Sequence, residues 1–227
     1  MIDPVHTGIM GLAVLVGLGV RRLVRAPSGL TRGESAAIGL AAVLGGVIGA
    51  KLPYLFESVA TLQTFDIWLS DARTITWALA TGYVAVELCK LALGVSAKTG
   101  DGFAAPVAAS IAVGRIGCFQ GGCCYGLPTA VPWGVDFGDG IPRHPTQLYE
   151  AGFHALAAVA LVRMNRADVL PRQHFKLYLG TYCIYRFVTE WLRPEPAWLL
   201  GMTFYQVSVL VILGGMVAHF AWDTRAA

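Results

Sequence analysis

Long apolar stretches alternate with short polar ones along the whole chain. Seven can be traced: Thr7–Val20, Ala36–Leu55, Thr74–Val95, a run from Phe103 that loses its apolar character around Arg115, Gln147–Val162, Leu177–Leu192 and Thr203–Trp222. A bilayer span needs about 20 mostly apolar residues. In lipid each backbone N–H and C=O must be satisfied within the segment, so such runs predict helices. The pattern predicts an all-α, polytopic membrane protein of about seven transmembrane helices, organised as a single integral membrane domain over residues 1–227. The longest polar stretch, Gln120 to Thr146, carries Pro128, Pro132, Trp133, Pro142 and Pro145, which suggests a rigid, folded loop. With the glycines after Arg115, the region at about 115–146 reads as an outer loop or re-entrant segment.

The polar positions between the runs give an orientation. Arg21, Arg22, Arg25 and Arg32 follow the first run, Lys90 and Lys98 surround the end of the third, and Arg163, Arg166, Arg172 and Lys176 separate the fifth from the sixth. The opposite loops hold Glu57, Asp66, Asp71, Asp136 and Asp139. The positive-inside rule then predicts an outside N-terminus and a cytoplasmic C-terminus. The first run reads as a span and not as a cleavable signal, because its positive charges follow it and no small-residue cleavage site does.

Composition agrees with this picture. Only 14% of residues are charged and 56% are hydrophobic, where soluble domains run near about a quarter charged. Many of the 27 glycines lie inside apolar runs, a habit of membrane helices whose backbones approach closely. Trp68, Trp133, Trp191 and Trp198 lie near run ends, as an interfacial belt requires. The net charge of +3 comes with no dense basic tract, which argues against a nucleic-acid partner.

Charge inside the spans changes the picture from architecture to chemistry. An ionisable group there costs about 2.5–3.5 kcal/mol on insertion scales. Arg115 ends the fourth run; Tyr182, Arg186 and Glu190 share one helix face at i, i+4, i+8, and Arg193 continues it. Lys51 and Tyr54 lie near the end of the second run. On the predicted topology all three helices run outward, so their charges meet at one depth. Two guanidiniums with one carboxylate leave surplus positive charge that suits a lipid phosphate; a bundle salt bridge, or snorkelling for Lys51, is the plainer alternative. Gly114, Gly117, Gly121, Gly122 and Gly126 either interrupt the helix and expose backbone N–H groups or form a helix-packing face. His144 has base chemistry near neutral pH and stands near Tyr149 and Glu150, whereas His6, His154, His174 and His219 show no comparable company. Cys89 and Cys183 lie in apolar runs and read as packing residues. Cys118-x4-Cys123-Cys124 has three readings: a disulfide, thiols that contact substrate or act as nucleophile, or a zinc site with His144 that lacks regular ligand spacing.

Several of these segments together resemble the prolipoprotein diacylglyceryl transferase family. They are Gly114-Arg115-Ile116-Gly117-Cys118-Phe119 followed by Tyr125-Gly126-Leu127-Pro128-Thr129, then Arg143-His144-Pro145-Thr146-Gln147-Leu148-Tyr149-Glu150, then Tyr182-x3-Arg186-x3-Glu190-x2-Arg193. Gly49-Ala50-Lys51-Leu52-Pro53-Tyr54 is similar to the family's arginine-bearing second-helix motif. The resemblance implies seven membrane helices, an outward N-terminus and a multi-pass place in the bacterial inner membrane, with the active site toward the outer side. It implies transfer of the diacylglyceryl group of phosphatidylglycerol to a lipobox cysteine thiol, with glycerol phosphate leaving. By resemblance Arg115 and Arg186 hold the phosphate, Glu190 orients Arg186, and Tyr182 and Gly126 shape the headgroup pocket. The chain also departs from the family: Trp77 stands where a third-helix histidine is expected, Cys118 where an asparagine is, and Cys123 where an acidic residue is. The phosphate half of the site is thus retained and the acceptor half rebuilt, with His144 the substitute candidate for the base. The expected site is Arg115, Arg186, Glu190 and His144 for catalysis, with Lys51, Tyr54, Cys118, Cys123, Cys124, Gly126, Gln147, Tyr149, Tyr182 and Arg193 binding substrate. The partners expected are a phospholipid, the membrane, and an acceptor thiol on a protein or small molecule; no cofactor and no metal is called for. Two other readings compete: a lipid-dependent thiol or redox enzyme using Cys118 and Cys123, and a non-catalytic lipid-binding or transport protein.

Overall fold

The computed structural model describes residues 4–25, 29–58 and 74–225, with the backbone alone at 55–58 and 224. Trp68, Asp66 and Asp71 lie outside the described residues, as does the side chain of Glu57. Seven α-helices occupy the apolar runs among those residues: α1 (Pro4–Arg21), α2 (Arg32–Ser58), α3 (Ile75–Leu93), α4 (Gly100–Gln120), α5 (Thr146–Arg166), α6 (His174–Thr189) and α7 (Phe204–Arg225). The protein is therefore all-α and polytopic in type. α1, α2, α3, α4 and α7 are long and apolar enough to cross a membrane. α5 and α6 fall short by that measure, α6 because it has only 16 residues; both carry buried polar faces, Thr146, Gln147, Glu150 and His154 on one, Tyr178, Tyr182 and Arg186 on the other.

The chain divides into two compact units, Pro27–Lys98 and the remainder. In the smaller, α2 and α3 pack as a hairpin through glycines. A Cβ at Gly45 would come within 2.5 Å of Ala85 Cβ, and one at Gly49 would overlap the Thr81 side chain. The Thr81 hydroxyl sits in this notch and bonds the Gly45 carbonyl at 2.8 Å. Lys51 is buried on α2, Tyr54 is half-buried there, and Trp77 is half-buried on α3.

In the larger unit α4 is the central helix, packed against α1, α5 and α6, while α6 also packs on α7. Its buried face is built of small residues, Ala104, Ala105, Ala108, Ala109 and Ala112, which lets neighbouring backbones come close. α4 does not stop near Arg115. It runs on to Gln120, and the chain leaves the helix at Gly121 and at Gly122, whose φ is +63°. Gly114 and Gly117 do not interrupt the helix, and Gly117 is a packing notch. A Cβ on Gly117 would lie 2.5 Å from Met10 Cε and 3.2 Å from Ile9, and the Gly117 carbonyl is 3.1 Å from His6 Nδ1. The loop after α4 is folded: β1 (Val135–Asp136) pairs antiparallel with β2 (Pro142–Arg143), and Tyr125 stacks on Phe137 at 5.1 Å. A second small pair, β3 (Ala197–Leu199) with β4 (Met202–Thr203), precedes α7. At the opposite ends of these helices, Asp101 accepts from the His174 N–H at 3.0 Å and Lys176 pairs with Asp223, which fixes the inter-helix turns.

Candidate functional site

Glu150 is the centre of the charged site. It lies one turn into α5 on the face it shares with Thr146, Gln147 and His154, and it is 1% exposed. The Arg115 guanidinium on α4 reaches its Oε2 at 2.7 Å, and Arg193 reaches the same oxygen at 3.3 Å. The Tyr182 hydroxyl on α6 donates to Oε1. Behind that oxygen, His154 Nε2 lies at 3.8 Å, and His154 Nδ1 is 2.8 Å from the Tyr178 hydroxyl. Three helices and one loop thus converge on one carboxylate.

A second pair stands beside the first. α6 ends at Thr189, and a single 3-10 turn, Glu190–Leu192, turns the chain back. Arg186 donates to Glu190 Oε2 at 2.6 Å, and the Thr203 hydroxyl donates to Oε1 at 3.2 Å. Arg193 then adopts an extended conformation, and this bend brings its side chain back to Glu150. Arg186 is near enough to feel the charges of both Glu150 and Arg115. Counting formal charge, three guanidiniums face two carboxylates, so the cluster keeps one net positive charge. Each pair is charge-assisted and largely withdrawn from water, where such bonds are strong. The buried Nε donors of Arg115 and Arg193 carry no hydrogen-bond partner among the described residues. Buried donors normally have acceptors, and these two suit the oxygens of an anion.

The rim of the site comes from the loop after α4. Gly126 is buried where three segments cross: its N–H donates to the His144 carbonyl at 2.8 Å, and a Cβ on it would lie 2.5 Å from the Leu192 carbonyl. Only glycine leaves room for that approach. Gln147 and Thr146 donate to the carbonyls of Cys123 and Cys124 at 2.5 and 2.8 Å. Cys124 is held with φ at +62°, a region unfavourable for any residue with a Cβ. All five cysteines are free thiols. Cys118, Cys123 and Cys124 act on one another electrostatically, and the Cys123 thiol donates to the Cys118 carbonyl at 3.5 Å. Arg115 Nη1 lies 3.9 Å from Cys118 Sγ. Hydrogen bonds from Cys118 and Cys123, aided by the charges of Arg115 and Arg193, hold the Cys124 thiol well below the usual thiol range. The same network and burial push the Cys123 thiol up. Among the described residues no group of three or more His, Cys, Asp or Glu side chains is placed to hold a metal ion.

The predicted residues divide accordingly. Arg115, Arg186, Glu190, Tyr182, Arg193, Gly126, Gln147 and the three cysteines come together in the larger unit. His144 is half-buried, and its Nδ1 is 3.2 Å from the Tyr149 hydroxyl, which accepts the Trp133 indole N–H at 2.7 Å. Lys51 and Tyr54, and the variant position Trp77, belong to the smaller unit. The balance of two guanidiniums to one carboxylate is corrected to three and two, because Arg193 and Glu150 both join the cluster. His154 is also corrected: it has company, being fully buried between Glu150, Tyr178 and Tyr182. The signal for both was a Gln147, Glu150, His154 face on a helix otherwise apolar enough to pass for a plain span.

The family model described as prolipoprotein diacylglyceryl transferase matches residues 7–222. A phosphatidylglycerol–prolipoprotein diacylglyceryl transferase of Clostridium tetani is 33% identical over 77% of this chain and 75% of its own length. One of Bordetella parapertussis is 32% identical over 86% of this chain and 78% of its own. One of Oleidesulfovibrio alaskensis is 31% identical over 95% and 89%. With residues 7–222 matched and similarity running through most of the length of these relatives, the chain belongs to the prolipoprotein diacylglyceryl transferase family and is a membrane transferase of that type.

Proposed function

We propose that this transferase takes phosphatidylglycerol as donor and moves its diacylglyceryl group to a cysteine thiol of a prolipoprotein, in the outer leaflet of the bacterial inner membrane. The observation that carries the reading is the surplus positive charge of the buried Arg115, Arg186 and Arg193 cluster against Glu150 and Glu190. Phosphatidylglycerol brings one negative charge on its phosphodiester, which matches that surplus. The acceptor thiolate attacks the glycerol carbon that bears the phosphate. A C–S bond forms, the C–O bond breaks, and the electron pair leaves on the phosphate oxygen as glycerol phosphate.

Charge on the departing phosphate grows as the C–O bond breaks. Donors already aimed at those oxygens favour the transition state over the ground state. Arg115 and Arg186 supply them, while Glu150 and Glu190 hold the guanidiniums in place. Tyr182 fixes Glu150, and Arg193 closes the cluster from the loop. Gly126 and Gln147 shape the rim, and His144 with Tyr149 forms its outer wall. The supporting roles of Lys51 and Tyr54 in substrate binding follow the family resemblance. Positive charge in the loops favours an outside N-terminus and a cytoplasmic C-terminus, with the Glu150 cluster toward the outer face.

The test is glycerol phosphate release from labelled phosphatidylglycerol in the presence of a lipobox peptide, with mass detection of the lipidated peptide. Arg115→Ala and Arg186→Ala are each expected to lower kcat by about 10²-fold or more. Phosphatidylglycerol bound tightly without release by the wild type would sink the reading, as would turnover indifferent to both substitutions.

A further inference from the structure

The phosphate chemistry leaves one buried imidazole unused. His154 lies one turn after Glu150 on α5 and is fully buried, its ring edge-to-face with Phe153 at 5.2 Å and tilted against Tyr182 at 4.6 Å. The two ring nitrogens meet different groups. Nδ1 is 2.8 Å from the Tyr178 hydroxyl on α6. Nε2 lies 3.8 Å from Glu150 Oε1, too long for a hydrogen bond, and has no hydrogen-bond partner among the described residues. Tyr178 is itself buried. A buried phenol spends its proton on an acceptor, so Nδ1 accepts from Tyr178 and the ring proton sits on Nε2. The other tautomer would set a nitrogen lone pair against a carboxylate oxygen. The imidazole is then neutral, and the one positive charge that the cluster keeps is unchanged. Glu150 thus has Arg115 and Arg193 on Oε2, Tyr182 on Oε1, and one idle N–H beside Oε1.

We propose that His154 is a positioning residue for the transfer step: fixed by Tyr178 with its proton on Nε2, it holds Glu150 in place while the lipid phosphate draws on Arg115. The proposal rests on the lipid-transfer reading above. Glu150 and the phosphate compete for the same guanidinium. As the C–O bond breaks, charge on the phosphate oxygens grows, and Arg115 bonds them more strongly and Glu150 less. A buried carboxylate that loses a donor is destabilised unless another donor replaces it. Tyr182 has already given its proton to Oε1. The Nε2–H of His154 is the idle donor close by, and an approach of about an ångström makes it a hydrogen bond. No proton is transferred and no covalent bond changes at His154. Its support is worth most when the phosphate charge is greatest, so it acts on kcat and leaves KM nearly alone.

The experiment compares side chains that each keep one of the two nitrogens. A glutamine amide nitrogen falls near the place of Nε2, and an asparagine amide nitrogen near that of Nδ1. Glycerol phosphate release from phosphatidylglycerol with a lipobox peptide is measured for His154→Gln, His154→Asn and Tyr178→Phe. His154→Asn is expected to lower kcat about 10-fold or more, with KM within about 3-fold of wild type. His154→Gln, which restores the donor, is expected to stay within about 3-fold in both. Tyr178→Phe is expected to lower kcat in the same direction by less, and to add nothing to His154→Asn, since both act through one N–H. Wild-type kcat in His154→Asn overturns the assignment. Equal losses in the glutamine and asparagine variants also overturn it, since they mark a packing role. A loss confined to KM, or losses of Tyr178→Phe and His154→Asn that multiply, overturn it too. If His154→Asn does not fold, nitrogen-15 NMR of the histidine-labelled wild type decides, with the His154 signals assigned by their absence from His154→Gln. A proton on Nε2 supports the proposal, and one on Nδ1 overturns it. Absence of turnover in the wild type is a separate outcome, which defeats the lipid-transfer reading itself and with it this role.

Discussion

Glu150 shows how much of the site depends on one buried carboxylate. It is 1% exposed and answers two guanidiniums and a phenol. Breaking a buried ion pair by removing one partner costs about 3–5 kcal/mol, because the other charge is stranded. Glu150→Gln keeps the shape and removes the charge. It is expected to lower the melting temperature in detergent and to abolish glycerol phosphate release. Adding Arg115→Met to Glu150→Gln is expected to recover part of the stability and none of the turnover. A double variant no more stable than the single would show that the two residues are not coupled. At this scale Arg115, Arg186 and Glu190 are legible from sequence, since charges in apolar runs stand out. Glu150 and His154 are not, because α5 begins beside a polar loop where a carboxylate needs no explanation. Only burial makes it costly.

Among the elements, close approach through small residues joins the α2–α3 hairpin. In the α2–α3 hairpin, Gly49 faces Thr81, whose branched side chain has nowhere to retreat while its hydroxyl bonds the Gly45 carbonyl. Gly46, on the same helix, has only the Ala78 carbonyl at 3.6 Å, an ordinary contact. Gly49→Ala is therefore expected to cost about 1–3 kcal/mol, and Gly46→Ala to be near neutral, both read from thermal unfolding in one detergent. Equal effects would mean that the notch does not discriminate. The seven helices are legible in the apolar runs to within a few residues. The end of α4 is not: glycine after Arg115 reads equally as a break or as a packing surface. The presence of Met10 and His6 opposite Gly117 decides for packing.

At the scale of the whole molecule, orientation is the property to test. A reporter that is active only in the cytoplasm, fused after Arg225, is expected to be active, and an impermeant maleimide added to intact spheroplasts is expected to reach Cys123. The reverse pattern of both would overturn the outward placement of the site. The orientation is carried by many weak charges distributed over loops, Arg21, Arg22, Arg163 and Arg166 among them, so no single substitution is expected to invert it.

Lipid admits so few backbone arrangements that the sequence alone determined the helical class and, among the described residues, the seven helices; its motifs determined the family. It also determined that Arg115 and Arg186 are chemically exceptional. Which charges meet was decided only by the tertiary structure. The reason is that pairing depends on helix rotation and on the turn after α6 that returns Arg193 to Glu150, and periodicity along one helix does not encode where another helix presents its face.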